Sequence, residues 1–142
     1  MKKTSTKFFK KPRLTEHHRR YRVHGGTNDK FNISMVYGYK HEAWHFIFHH
    51  YKINVICALL NEYLLDNYTV EVLCLQENVP IEENINIDGF LSKRDSKRQK
   101  RMLSIEKNWK ILFNKKKESE IIKEINDIWI DPACYLKIIK KK

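Results

Sequence analysis

The sequence predicts one α+β domain: a strand–turn–strand–helix unit at the N-terminal end, packed with C-terminal helices. Three observations predict it. The short β-branched run Ile33-Ser34-Met35-Val36 follows the turn signals Gly25-Gly26 and Thr27-Asn28-Asp29. Apolar residues then recur at three- and four-residue intervals in residues 53–65 and again in 121–129. Finally, 142 residues fit a single domain of the usual range of about 100–200 residues, which excludes a large multidomain enzyme.

Residues 1–13 carry Lys2, Lys3, Lys7, Lys10 and Lys11 without periodicity, and mutually repelling charges of this kind predict a basic flexible arm. Residues 14–52 hold the strand–turn–strand–helix unit. The polar stretch 14–22 leads into the Gly-Gly turn, Gly38 punctuates the end of the second strand, and residues 41–50 follow. There Trp44, Phe46, Ile47 and Phe48 lack a strand's alternation, which predicts a short buried helix. Ile53, Ile56, Leu59, Leu60 and Leu64 give the next helix an apolar face. Residues 69–75 are β-branched and fit either a strand or an extension of that helix. Residues 78–89, with Pro80, read as a loop. A basic helix is expected over 92–113, with Met102, Ile105, Trp109, Leu112 and Phe113 in its second half. A last amphipathic helix carries Ile121, Ile122, Ile125, Ile128 and Trp129 and stops near Pro132. Residues 53–142 therefore read as mainly helical support and a basic nucleic-acid-binding region of the same domain.

The net charge of +11 favours polyanionic partners, nucleic acid or an anionic membrane surface. It is unevenly placed. Residues 1–30 hold ten basic and two acidic side chains, residues 31–90 two and eight, and residues 91–142 sixteen and seven. Cys57, Cys74 and Cys134 are odd in number and contain no C-x-x-C pair, so neither a disulfide framework nor a thiolate zinc site is indicated. No apolar run reaches the roughly 18 residues that span a bilayer, and no secretory signal follows the basic N-terminus. A soluble, cytoplasmic protein is expected.

All seven histidines fall between residues 17 and 50. His41 and His45 are four apart on a predicted helix, so their rings project from one face one turn apart, the geometry needed to grip one metal ion. Alone, that pair also fits two polar histidines on a half-exposed face. Upstream, His17-His18 is followed by thirteen residues, Asn32, eight residues, His41, three residues and His45, with Gly25-Gly26 in the intervening turn.

The stretch HHRRYRVHGGTNDKFNISMVYGYKHEAWHFIF, residues 17–48 and about a quarter of the chain, resembles the HNH endonuclease family, the ββα-metal nucleases. The resemblance implies that the N-terminal unit is a ββα-metal (HNH) unit hydrolysing nucleic-acid phosphodiester bonds, with double-stranded DNA as the expected substrate. It implies His17, His41 and His45 as ligands of one divalent metal ion, His18 as the general base that takes a proton from the attacking water, and Asn32 as the tether of the loop that aims it. The cysteine-held zinc knuckle common in the family is missing here, which shifts support of the unit onto the following helices.

Physical chemistry supports those assignments. Adjacent strand residues point to opposite faces, so only a bend lets His17 and His18 serve one centre with separate tasks. Three neutral imidazoles leave a divalent ion its full charge and an open coordination position for a phosphate oxygen. Nitrogen ligation admits Zn²⁺, Ni²⁺ or Mn²⁺ as readily as Mg²⁺. Arg19, Arg20 and Arg22 are candidates for holding the phosphate backbone, as are Lys93, Arg94, Lys97 and Arg98 on the basic helix. His24, His49 and His50 have no assigned task. Two other readings compete. In a non-catalytic module the metal only staples the fold while the basic ends grip nucleic acid. In a zincin metalloprotease His41-Glu42-x-x-His45 would form the active site with Glu42 as base, Asn61-Glu62 standing where one zincin branch places its third ligand. That last reading leaves His17, His18, Gly25, Gly26 and Asn32 without a purpose.

Overall fold

The chain first folds back on itself at Gly25 and Gly26. Gly25 adopts φ +89°, a left-handed conformation that costs other residues a Cβ clash. A Cβ on Gly26 would lie 1.7 Å from the Arg20 carbonyl oxygen, so only glycine lets the chain pass there. The turn delivers Leu14–His18 (β1) antiparallel to Ile33–Tyr37 (β2), with Thr15 opposite Val36 and His17 opposite Ser34. The computed structural model describes residues 13–87, 90 and 95–141. Among them lie four α-helices and two two-stranded sheets, a mixed α+β architecture. The arm predicted up to residue 13, the start of the basic helix at 92–94 and Lys93 and Arg94 fall largely or wholly outside the described residues.

The first helix, α1, runs Gly38–Phe48 and so starts three residues earlier than the sequence suggests. Gly38 follows directly on the last residue of β2, as expected. Its N–H donates to the Arg13 carbonyl at 2.7 Å, and the helix begins on that bond. The second helix, α2, spans Ile53–Leu59 and widens into a π-turn over Leu60–Leu64. The undecided stretch is a strand, Tyr68–Cys74 (β3), anchored by Asn61, whose amide bonds both the N–H and the carbonyl of Val70. The long helix α3 occupies Asp95–Phe113, and α4 runs Glu118–Glu124 before its own π-turn at Ile125–Trp129.

The chain does not end in helix. Cys134–Lys140 (β4) pairs antiparallel with β3, Cys74 opposite Cys134 and Val72 opposite Leu136. Residues 53–142 therefore hold the β3–β4 sheet as well as α2, α3 and α4. Pairing with β3 satisfies the backbone after Pro132, and Cys134 and Leu136 are buried while Tyr135 and Lys137 are exposed, the period-two pattern of a strand.

Trp44, Ile47, Phe48, Leu59, Leu60, Leu112, Ile122, Ile125, Trp129 and Leu136 are buried in one continuous apolar core that draws on α1 to α4 and both π-turns. Arg101 of α3 docks that helix onto α1. Its guanidinium lies 5.0 Å from the ring centres of both Phe46 and Phe90 and donates to both of their carbonyls. Among the described residues no helix is long and apolar enough to cross a membrane.

Candidate metal centre

Strand alternation turns Thr15 and His17 to the inner face of the β1–β2 pair, where α1 packs and presents His41 and His45 one turn apart. The three rings converge, with centroids 4.8 Å apart for His41 and His45, 5.2 Å for His17 and His41, and 5.5 Å for His17 and His45. One nitrogen of each lies within 4.8 Å of the others, close enough for the three to hold one metal ion. Tetrahedral ligation with bonds of about 2.0–2.1 Å spaces nitrogens about 3.4 Å apart, so small ring rotations close the set. Among the described residues this is the one cluster of histidine, cysteine and carboxylate groups so arranged.

Hydrogen bonds fix which nitrogen each ring offers. His17 Nε2–H donates to the Trp129 carbonyl at 2.8 Å. His41 Nδ1–H donates to Thr15 Oγ1 at 2.9 Å, and that hydroxyl passes its own proton on to the Val36 carbonyl. His45 Nδ1–H donates to the His49 carbonyl at 2.9 Å. His49 caps α1 at φ +45°, ψ −129°, an uncommon conformation for a residue other than glycine, and its carbonyl accepts from His45 on the last turn of the helix. The opposite nitrogens, His17 Nδ1 and the Nε2 atoms of His41 and His45, are left as lone pairs. His17 is fully buried, and its Nδ1 has no hydrogen-bond partner. A buried acceptor without a donor is costly, and a cation between the three rings satisfies it. Oxygen acceptors behind each ring are the usual means of orienting metal-binding histidines. The donor set therefore fits a divalent ion.

Electrostatics agree. Burial, reinforced by His45 and His41 and opposed by the Trp129 carbonyl, pushes the His17 imidazole from 6.5 down to about 3. Burial and the charges of His45 and His18 bring His41 to about 4, and burial also lowers His45. All three shifts favour the neutral imidazole at physiological pH, the form in which the ring can ligate a metal.

His18 ends β1 and lines an open cleft of about 230 Å³ together with Glu16, Tyr21, Arg22, His41, His45 and His50. Its Nε2–H donates to Asn28 Oδ1 at 2.9 Å, which leaves Nδ1 as the basic nitrogen. Asn32 is buried and staples the bend that follows. Its Oδ1 accepts from the Arg20 N–H, and its amide donates to the carbonyls of Arg20 and Thr27. The tether expected of Asn32 thus acts on the backbone just beyond His18, while Asn28 holds the ring itself.

The three arginines divide. Arg19 donates to the carbonyls of Ile130 and Asn126, and Arg20 forms a two-point ion pair with Asp131. Both side chains are therefore engaged within the fold. Arg22 is exposed and faces the cleft. On α3, Lys97 and Arg98 are exposed. Glu42 is exposed and lies outside the cleft lining, and the third nitrogen beside His41 and His45 comes from His17. Asn61 is engaged with Val70. Among the described residues neither Asn61 nor Glu62 joins His41 and His45 in a group that could hold a metal ion.

Sequence reasoning missed the support behind the site. Trp129 stacks on Trp44 at 4.9 Å and 15°, His17 packs against both, and the Trp44 indole N–H donates to the buried Tyr21 hydroxyl. Ser34 adds a bond to the Ile128 carbonyl. The apolar spacing at Ile125, Ile128 and Trp129 signalled a helix but not carbonyls aimed at a strand more than ninety residues upstream. Comparison with protein-family models, with curated proteins and with solved structures found no match.

Proposed function

We propose that this protein is a metal-dependent phosphodiesterase acting on nucleic acid, with double-stranded DNA as the substrate, built on a ββα-metal (HNH-type) unit. The observation that carries the reading is the convergence of His17, His41 and His45, each held by an oxygen acceptor, beside a cleft that His18 lines with His41 and His45. A divalent ion held by these three residues would polarise a phosphate oxygen and stabilise the leaving oxyanion. His18 Nδ1 takes the proton of the attacking water. Asn28 fixes its tautomer, and a base with one fixed nitrogen free is what this proton transfer requires. Asn32 keeps the bend rigid, so the base stays aimed. Arg22 holds a phosphate at the cleft, and Lys97 and Arg98 hold backbone further along, with Lys93 and Arg94 adding to the same basic stripe in sequence.

Incubating the protein with supercoiled plasmid and Mg²⁺, Mn²⁺, Zn²⁺ or Ni²⁺, with and without chelator, tests this reading. Relaxed or linear product with at least one ion, stopped by chelator, is expected. Intact plasmid under every condition, with binding retained, favours the non-catalytic module instead.

A further inference from the structure

We propose that Cys74 and Cys134 are a peroxide-sensitive pair that closes into a reversible disulfide across the β3–β4 ladder. The two residues are direct cross-strand partners. Backbone bonds identify the kind of partner. The Leu75 N–H donates to the Ala133 carbonyl at 2.7 Å, one step beyond the pair, and the Cys134 N–H turns to the Asp131 carbonyl instead of crossing to Cys74. The Lys141 N–H bonded to the Asn67 carbonyl sets the same alternation at the far end of the ladder. Cys74 and Cys134 therefore occupy a non-hydrogen-bonded position, where opposed Cα atoms approach to about 4.5 Å and the side chains are closest. Disulfides span Cα separations of about 4.4–6.8 Å, so the bridge needs only side-chain rotation.

The two thiols are differently placed. Cys74 is exposed and Cys134 is buried. Burial, with Asp131 and Cys74 nearby, pushes the Cys134 thiol up to about 12. Cys74 is the group that meets an oxidant in solution, and Cys134 is the group that resolves it. The Cys74 thiolate attacks one oxygen of hydrogen peroxide, the O–O bond breaks, and the departing hydroxide is protonated to water, leaving a sulfenic acid. Cys134 sulfur then attacks the Cys74 sulfur, the S–O bond breaks, and the oxygen leaves as a second water with the Cys134 proton. Two thiols lose two electrons and the peroxide is reduced to two waters. Cys57 stands apart, buried on α2 with its thiol donating to the Val70 carbonyl.

The test is to treat the full chain with hydrogen peroxide, label remaining thiols after denaturation, and map the non-reduced digest by mass spectrometry. Of the three cysteines only Cys57 should take label, a Cys74–Cys134 cross-linked peptide should appear, and dithiothreitol should restore all three thiols. Cys134→Ser should leave Cys74 as a sulfenic acid that dimedone captures. The proposal is overturned by Cys134 remaining labelled while Cys74 carries sulfinic acid, by three labelled thiols, by a cross-link through Cys57, or by a dimer joined through Cys74.

Discussion

The His17 Nε2 atom lies 2.8 Å from the carbonyl oxygen of Trp129, 112 residues further along the chain. This bond joins the histidine cluster to the end of the π-turn that closes α4, where the carbonyls of Asn126, Ile128, Trp129 and Ile130 all accept bonds from Arg19, Ser34 or His17. Carbonyls at a helix C-terminus carry its negative partial charge and normally lack partners. Here His17 of β1, Ser34 of β2 and Arg19 just after β1 supply those partners, and the Trp129 carbonyl in turn fixes His17. The candidate metal centre is thus completed by the C-terminal half of the chain.

Thr15→Val should lower metal affinity by about 10–100-fold, the usual effect of removing an acceptor behind a metal-binding histidine. Thr15→Ser should keep it, because Ser retains the hydroxyl between His41 and the Val36 carbonyl. Calorimetric titration with Zn²⁺ or Mn²⁺ checks both.

Arg19 and Arg22 should separate stability from binding. Arg19→Ala leaves the Ile130 and Asn126 carbonyls without their donor and should cost about 1–3 kcal/mol in urea unfolding. Arg22→Ala should change stability by less than about 0.5 kcal/mol. It should, however, weaken DNA binding and reduce the slope of log affinity against log salt by about 0.9.

Asn32→Ala removes three side-chain hydrogen bonds at a buried position. At about 0.5–1.5 kcal/mol each the loss should be about 2–4 kcal/mol by chemical denaturation. Cleavage by the fraction that remains folded should fall as well, since the bend after His18 loosens.

Acid should destabilise the fold through the histidine cluster. His17 and His41 sit at about 3 and about 4 in the folded protein against an ordinary 6.5. Between those values the unfolded chain binds protons that the folded chain refuses, so stability is fully present above about pH 6.5 and falls as pH drops towards 3. Melting temperatures measured from pH 7 to pH 4 should decline. His17→Gln and His41→Gln should flatten that decline.

Much of the candidate site was legible because its spacing is local. His41 and His45 share a helix face by periodicity alone, and the Gly25-Gly26 turn announces the pairing of β1 with β2. What escaped depends on long-range contacts. Nothing near Trp129 in sequence points to His17. Arg19 and Arg20 read like any basic pair until Asp131 and the Ile130 carbonyl come into view. The alternation of Cys134, Tyr135, Leu136 and Lys137 could have revealed β4, but β3, its partner, was itself undecided between strand and helix. Asn28 looked like turn chemistry, and its side chain instead holds His18.

The most direct test of the account compares plasmid cleavage by metal-loaded His18→Ala, Glu42→Gln and the unaltered protein at matched metal occupancy. His18→Ala should bind metal with unchanged stoichiometry and lose about 10²–10⁴-fold in cleavage rate, the range supplied by a positioned general base. Glu42→Gln should cut normally, since a residue one position after His41 is turned about 100° from the ligand face. Cleavage that survives His18→Ala and disappears with Glu42→Gln would contradict the account.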